Sequence, residues 1–232
     1  ARLKHLIELA LTNNRDLRVA ALNVERTQAQ YQIQRAAQWP AVNGVFAGQR
    51  QAATKDVFTL GVGITSFEFD FFGRIANLKD AALAQYLSTD ESRKTVQISL
   101  VAAVANTYLS LVADDALFAI TQETLVTREQ SYKLAKLRFD NGVTSELDLR
   151  QAQGLVEAAR ASLAQSQRQR ALDENALVLL IGQPLPADLP RGEPFAVQAK
   201  LLADVPAGLP SELLNKRPDI RAAEQLLIAA NA

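Results

Sequence analysis

The sequence predicts a mainly α fold with a small β part, and three observations carry that expectation. A helical pattern runs without proline from Gly73 to Arg138, turns at Asn141-Gly142 and returns from Glu146 to Ile181 as a long antiparallel α-helical hairpin. A short stretch, "VFTLGVGITSF", alternates large apolar residues with small and polar ones at a period of two. A proline-rich segment, 184–210, follows the return helix and has room only for short elements.

The elements follow in order. Leu3, Leu6, Ile7, Ala10 and Leu11 recur at helical spacing and mark a first helix. Asn13 or Asn14 caps a second helix that begins at Arg15 and passes through Leu17, Ala20, Ala21, Val24, Ala29 and Ile33. It stops at Gln38, because Pro40 disfavours helix in the residue before it. The period then changes. Val42 to Gln51 is rich in Gly, Val and Phe, a polar turn covers 52–56, and a second strand follows. Phe58, Leu60, Val62 and Ile64 share one face of that strand, and Thr59, Gly61, Gly63 and Thr65 share the other. Two readings fit this alternation. One is a hairpin with one face on a core. The other is a transmembrane β-hairpin, whose strands take about 9–11 residues, apolar toward lipid and polar toward a lumen, with aromatic girdles at the interfaces. Trp39, Phe67, Phe69, Phe71 and Phe72 gather where the hairpin meets the helices. The pattern alone leaves both readings open.

The helix from Gly73 to Arg138 would reach roughly 100 Å, whereas an ordinary globular helix has about 11–12 residues. Such length points to a coiled coil or a helical tube. Within it, Thr95 to Ala113 carries no charge and approaches the length needed to cross a bilayer. Gln97, Ser99, Asn106, Thr107 and Ser110 lie inside that stretch, and the pattern continues on both sides, which favours a buried helix in a helical assembly. The return helix ends at Gly182. It is much shorter than its partner, and the helix from Asn14 to Gln38 makes up the difference. Two shorter helices stacked end to end beside the long one are therefore expected to form one wall.

Composition removes several function classes. There are 25 basic and 25 acidic residues, for a formal net charge of 0, so no general pull toward nucleic acid is expected. No cysteine is present, and His5 is the only histidine, read as a solvated or packed helix residue. Thiol catalysis, disulfides and imidazole-rich metal sites have nothing to work with. Asp and Glu are plentiful but fall at exposed helical spacing, where a solvated face is the default. No enzyme, catalytic residue, metal or cofactor is expected. The absence of methionine, even at position 1, suggests a processed or cut piece.

The two ends of the chain resemble each other. Arg15, Asp16, Leu17, Arg18 and Ala20 match Arg217, Asp219, Ile220, Arg221 and Ala223, with Pro218 inserted where a first helical turn accepts it. The long period reads as a duplicated half, so this chain is expected to be one repeat and the start of the next. One repeat then supplies two strands and a full parent four. A membrane barrel needs about eight, and an open edge in lipid leaves backbone groups unsatisfied. Oligomerisation would be obligatory; two copies would reach the minimum and three would exceed it.

Several separate segments carry a family likeness: "FEFDFFGRIANLKDAALAQYLSTDESRKTVQISLVAAVANTYL", "DNGVTSELDLRQAQ", "ENALVLLIGQPLP" and "VPAGLPSELLNKRPDIRAAEQLLIAANA". Together they cover essentially the whole chain. It resembles the outer-membrane channel components of tripartite efflux pumps, the TolC family, and within it the OprM-like branch. The resemblance implies a homotrimer with a twelve-stranded barrel among outer-membrane lipid, and a long α-helical barrel through the periplasm. It also implies docking to a periplasmic adaptor (membrane fusion) protein and an inner-membrane RND pump that exports drugs. The implied division is 1–40, N-terminal helices; 41–72, transmembrane β-hairpin; 73–182, periplasmic helical hairpin with its tip at 139–148; 183–216, an equatorial segment; and 217–232, the start of a second repeat. Members of this branch usually begin with a lipid-modified cysteine, which this sequence lacks, and the loop between the strands looks shorter than in many of them. A soluble periplasmic helical-hairpin adaptor is the competing expectation, which the strand pair disfavours.

In that frame the turn between the long helices is the periplasmic tip. Asn141-Gly142 supplies positive φ at low cost, and Thr144 or Ser145 caps the return helix. Ser145 with Asp148 fits a capping box. The resemblance also places Asp148 at a position used in the closed-tip network. Asn141, Gly142, Val143, Thr144 and Ser145 are the expected adaptor contacts, while Asp140 and Glu146 are read as solvated. Phe58, Leu60, Val62 and Ile64 are the expected lipid-facing residues, and Thr59, Gly61, Gly63 and Thr65 the lumen-facing ones.

Overall fold

A computed structural model describes residues 2–49, 57–64, 67–186, 195–198 and 212–232. The chain forms two compact units, one made of Ala1–Leu17 and Gln97–Gly208, the other of Arg18–Val96 and Leu209–Ala232.

The first unit is helical. It holds α1 (Arg2–Asn13), the C-terminal part of α3 (Arg74–Asp140), α4 (Glu146–Ile181) and the short α5 (Phe195–Gln198). Its core joins Leu6 and Ala10 of α1, Leu100, Val104, Tyr108 and Leu111 of α3, and Leu177 and Ile181 of α4. Leu6, Val104, Leu177 and Ile181 are 0% exposed. Burying each such side chain contributes about 1.5–3 kcal/mol. The α3 residues recur at three- and four-residue steps, so they line one stripe of the helix. This stripe explains the uncharged stretch seen in the sequence. By length and composition α3 can cross a membrane, with only 22% of its most apolar window buried; that buried part is the stripe seated against α1 and α4.

The join at the start of α2 (Arg15–Ala36) is made by one side chain. Asn14 is 7% exposed. Its Oδ1 accepts the Leu17 N–H at 2.8 Å, capping α2, and its Nδ2 donates to the Leu180 carbonyl at 2.8 Å, near the end of α4. Of the two asparagines the sequence offered, Asn14 is therefore the cap, and Asn13 bonds back to Leu9. Gly182 closes α4 with φ of 79° and an N–H bond to the Val178 carbonyl at 2.9 Å. A Cβ on Gly182 would collide with the Asn13 carbonyl, so close approach and backbone conformation both demand glycine.

Along α3 and α4 the seam is polar as well as apolar. Val156 and Ala159 are buried. Thr121 and Ser166 hydroxyls meet at 3.0 Å, Arg170 reaches Asp115 at 2.6 Å, and Arg160 reaches Glu129 at 3.1 Å.

The second unit holds most of α2, the N-terminal part of α3, strands β1 (Val42–Gln49) and β2 (Val57–Ile64), and helices α6 (Glu212–Lys216) and α7 (Pro218–Asn231). Gln30 and Ile33 of α2 face Ala82 and Gln85 of α3 across a cleft of about 290 Å³. Glu91 on α3 is 7% exposed and pairs with Lys94 at 2.8 Å and with Arg221 of α7 at 3.4 Å. Pro218 occupies the first turn of α7, and Arg217 forks onto Asp219.

Element ends differ slightly from the sequence reading. Helix α2 stops at Ala36 rather than Gln38, because Trp39 N–H closes a turn on the Ala36 carbonyl at 3.0 Å. Helix α3 has 67 residues and runs to Asp140. Its start is held from outside: the Asp70 carboxylate accepts the Ala76 N–H at 2.9 Å. Gln51, the turn at 52–56, Thr65 and most of 187–211 lie outside the described residues.

Candidate functional site

Two places in the fold present the residues singled out from the sequence: the β-hairpin and the turn between α3 and α4.

The strands pair antiparallel, with Val42 opposite Ile64, Gly44 opposite Val62, Phe46 opposite Leu60 and Gly48 opposite Phe58. Opposed residues in such a ladder point to the same face. Phe58, Leu60, Val62 and Ile64 therefore share their face with Val42 and Phe46. Thr59, Gly61 and Gly63 share theirs with Ala47, Val45 and Asn43. The apolar face is open. Leu60 is 82% exposed, Val62 78%, Phe46 71% and Phe58 69%. The reading of a hairpin seated on a core of its own chain is thus overturned, since these side chains are bare. Rings organise the sheet across the strands: Phe46 and Phe58 stack at 6.3 Å, and the Phe58 ring lies over Gly48, where a Cβ would sit 3.2 Å from it. Beyond β2, Phe67 and Phe69 meet edge-on at 5.3 Å and Phe69 and Phe71 at 6.0 Å. Phe72 is 98% exposed.

The contribution of β1 was not extracted from the sequence. Its signal was present: Val42, Gly44, Phe46 and Gly48 alternate with Asn43, Val45, Ala47 and Gln49. With two large side chains and two glycines on one face, that pattern is weak until the partner strand fixes the register.

At the turn, Gly142 has φ of 70° and no other residue type takes positive φ among the described residues. The positive φ expected of the Asn141-Gly142 turn is thus taken by Gly142, and the Asn141 amide donates to the Leu137 carbonyl at 2.7 Å. Val143 N–H reaches the Arg138 carbonyl and Gly142 N–H the Phe139 carbonyl, both at 2.9 Å. This is a Schellman ending, which satisfies the last carbonyls of α3. Ser145 then caps α4. Its hydroxyl accepts the Asp148 N–H at 3.2 Å, and Asp148 Oδ2 accepts the Ser145 N–H at 3.2 Å, the Ser145 hydroxyl at 2.7 Å and the Thr144 hydroxyl at 2.8 Å. Hydrogen bonds from Ser145 and then Thr144 hold the Asp148 carboxyl below the usual carboxylate range. Asp140 and Glu146 engage exposed Lys136 and Arg150, each one turn away on its own helix. Val143 is 74% exposed, and Leu147 is also exposed. The tip thus offers apolar side chains on a turn held by backbone bonds from Asn141, Gly142 and Val143 and by the capping box.

Residues 6–183 match the family described as "OEP: Outer membrane efflux protein". The chain belongs to this family. Among relatives of this outer membrane efflux protein, the "Probable efflux pump outer membrane protein TtgC" of Pseudomonas putida is 47% identical over 99% of this chain and 49% of that protein. A solved membrane protein from Pseudomonas aeruginosa is 40% identical, with a TM-score of 0.86 over 100% of this chain and 55% of that one. The open state of the MtrE outer membrane channel of Neisseria gonorrhoeae is 36% identical, with a TM-score of 0.84 over 99% of this chain and 53% of that one. The mainly helical fold with one small β-hairpin is therefore that of solved outer-membrane channels. The chain spans about half the length of the curated relatives it matches. Groups of His, Cys, Asp and Glu able to hold a metal ion do not occur among the described residues.

Proposed function

We propose that this chain forms part of the exit duct of a tripartite efflux pump in the outer membrane, a passive conduit rather than an enzyme. One observation carries the proposal: the hairpin presents an apolar face, Val42, Phe46, Phe58, Leu60, Val62 and Ile64, that its own chain leaves bare, opposite a face of smaller and more polar residues, Asn43, Val45, Ala47, Gln49, Val57, Thr59, Gly61 and Gly63. A two-stranded ribbon cannot stand alone in lipid, because its edges carry unsatisfied backbone groups. Strands from further repeats and copies must close it, and a homotrimer is the assembly the family likeness supports. Lipid then covers the apolar face, and the small polar face lines the lumen.

The same reading places the α3–α4 hairpin in the periplasm as part of a helical barrel wall. Its tip, from Asn141 to Ser145, is where a periplasmic adaptor protein docks, and an inner-membrane pump behind the adaptor supplies the energy. Small polar and apolar groups line such a path without a specific pocket, which suits drugs or solvents of varied shape. Asp148 holds the tip turn through the capping box, and its part in closing the channel is a proposal on the same footing. The proposed division into segments is the one read from the sequence.

Native mass and membrane fractionation test this. A trimer extracted with detergent from the outer-membrane fraction supports the duct. A water-soluble monomer that ignores detergent overturns it.

A further inference from the structure

The α3–α4 seam contains one pairing that does not complement. The Thr121–Ser166 and Asp115–Arg170 contacts set the antiparallel register of α3 and α4 so that Asp114 lies level with Asp173, and Asp114 Oδ2 is buried without a donor. Two carboxylates offer only acceptors, so a bond between them requires a proton. The surrounding groups do not remove the conflict. Arg170 of α4 is engaged by Asp115 at 2.6 Å and by Glu174 at 3.6 Å. Gln169 donates to Asp173 Oδ1 at 3.2 Å. Asp115, next in the chain, adds like charge. From α1, His5 and Glu8 face each other at exposed positions, and Arg2 lies over the Tyr108 ring. No cation among these named groups is committed to Asp114.

We propose that Asp114 and Asp173 form an acid-operated tie between α3 and α4: one shared proton bonds the helices, and its loss leaves two like charges in contact. The Asp114 carboxyl is pushed above its ordinary value, first by desolvation and then by Asp173. The sign follows. A group whose folded-state pKa is raised contributes stability at low pH, and that contribution is lost as pH rises through the folded value. Acid therefore tightens this level of the hairpin, and a rise of pH through the folded value loosens it. The pair lies outside the strands read as membrane-spanning, so bulk pH reaches it through water. The geometry does not depend on the channel reading, and the pair's behaviour is measurable whether or not transport is observed.

The test is thermal unfolding of the full chain in detergent between pH 5 and pH 8, comparing wild type with Asp114→Asn and Asp173→Asn. Either amide supplies a permanent donor to the remaining carboxylate. Both variants are expected to melt higher than wild type at pH 8, by about 2–4 °C, the shift of one modest interaction in a chain of this size. The gap should narrow as pH falls. A gap that does not change with pH, or a wild type that is the more stable at pH 8, overturns the proposal. Should either variant fail to fold, ¹³C-aspartate NMR of the wild type decides. One carboxyl signal titrating above the ordinary aspartate range, and altered in whichever variant folds, supports the tie; every aspartate titrating at or below that range overturns it.

Discussion

The helical core and the β-hairpin are both apolar, yet they treat that character in opposite ways. Leu6, Val104, Leu177 and Ile181 are sealed by other helices of the same unit, while Phe46, Phe58, Leu60 and Val62 are bare. The difference teaches where each region finds its partner. Hydrophobic side chains in the core stabilise this chain by meeting each other. Those on the hairpin can contribute only when something outside the chain covers them, since an exposed apolar patch of this kind marks an interaction surface.

Substitution should separate the two regions sharply. The largest effect belongs to Leu177→Ala, which opens a cavity among Leu6, Val104 and Ile181 and should cost about 2–5 kcal/mol. Thermal unfolding followed by helical circular dichroism reads this loss, and Leu60→Ala run in parallel should leave the helical transition unmoved. If Leu60→Ala lowers it equally, the hairpin is packed on the chain after all. Next comes Val62→Lys. It should leave helix content intact but weaken membrane assembly by about 2–4 kcal/mol, the cost of a cation on the lipid face of a barrel. Native oligomer mass from a membrane extract checks it. Thr59→Lys, on the opposite face, should be tolerated, and equal damage from the two would erase the distinction between faces.

Smaller effects are expected at the tip, which belongs to neither class. Ser145→Ala removes the cap of α4 and should cost about 1 kcal/mol, seen as faster amide exchange in the first turn of α4 with the core unaffected. The Asp148 carboxyl makes the weakest and most pH-specific contribution. Because its folded pKa is lowered, its capping bonds are fully present above the ordinary aspartate value and are lost as pH falls through the folded one. Amide exchange at Ser145 should therefore accelerate only in strong acid, and Asp148→Asn should remove that acid dependence.

The sequence made the long helices plain because their punctuation is chemical: Pro40 before, Gly142 and Gly182 after, and no proline between Arg74 and Asp140. Residues Ser145 and Asp148 were readable as a capping box because both halves lie within one turn. What escaped was everything that depends on residues distant in sequence. Phe46 joins Leu60 only through strand register. Arg170 and Asp115, or Asp114 and Asp173, read as solvated helix charges until the two helices lie side by side.

Asn14 has a consequence for the order in which this chain comes together. Its carbonyl oxygen is used within three residues, as soon as the first turn of α2 forms. Its amide waits for a carbonyl 166 residues further on. Until that strand of history is complete, the amide must be satisfied by water, and burying it early would cost free energy. Aspartate, a good substitute at most helix starts, would nucleate α2 equally well and then set a carboxylate against the Leu180 carbonyl. The choice of an amide at position 14 therefore links a local event, the first turn of α2, to the arrival of a carbonyl 166 residues further along the chain.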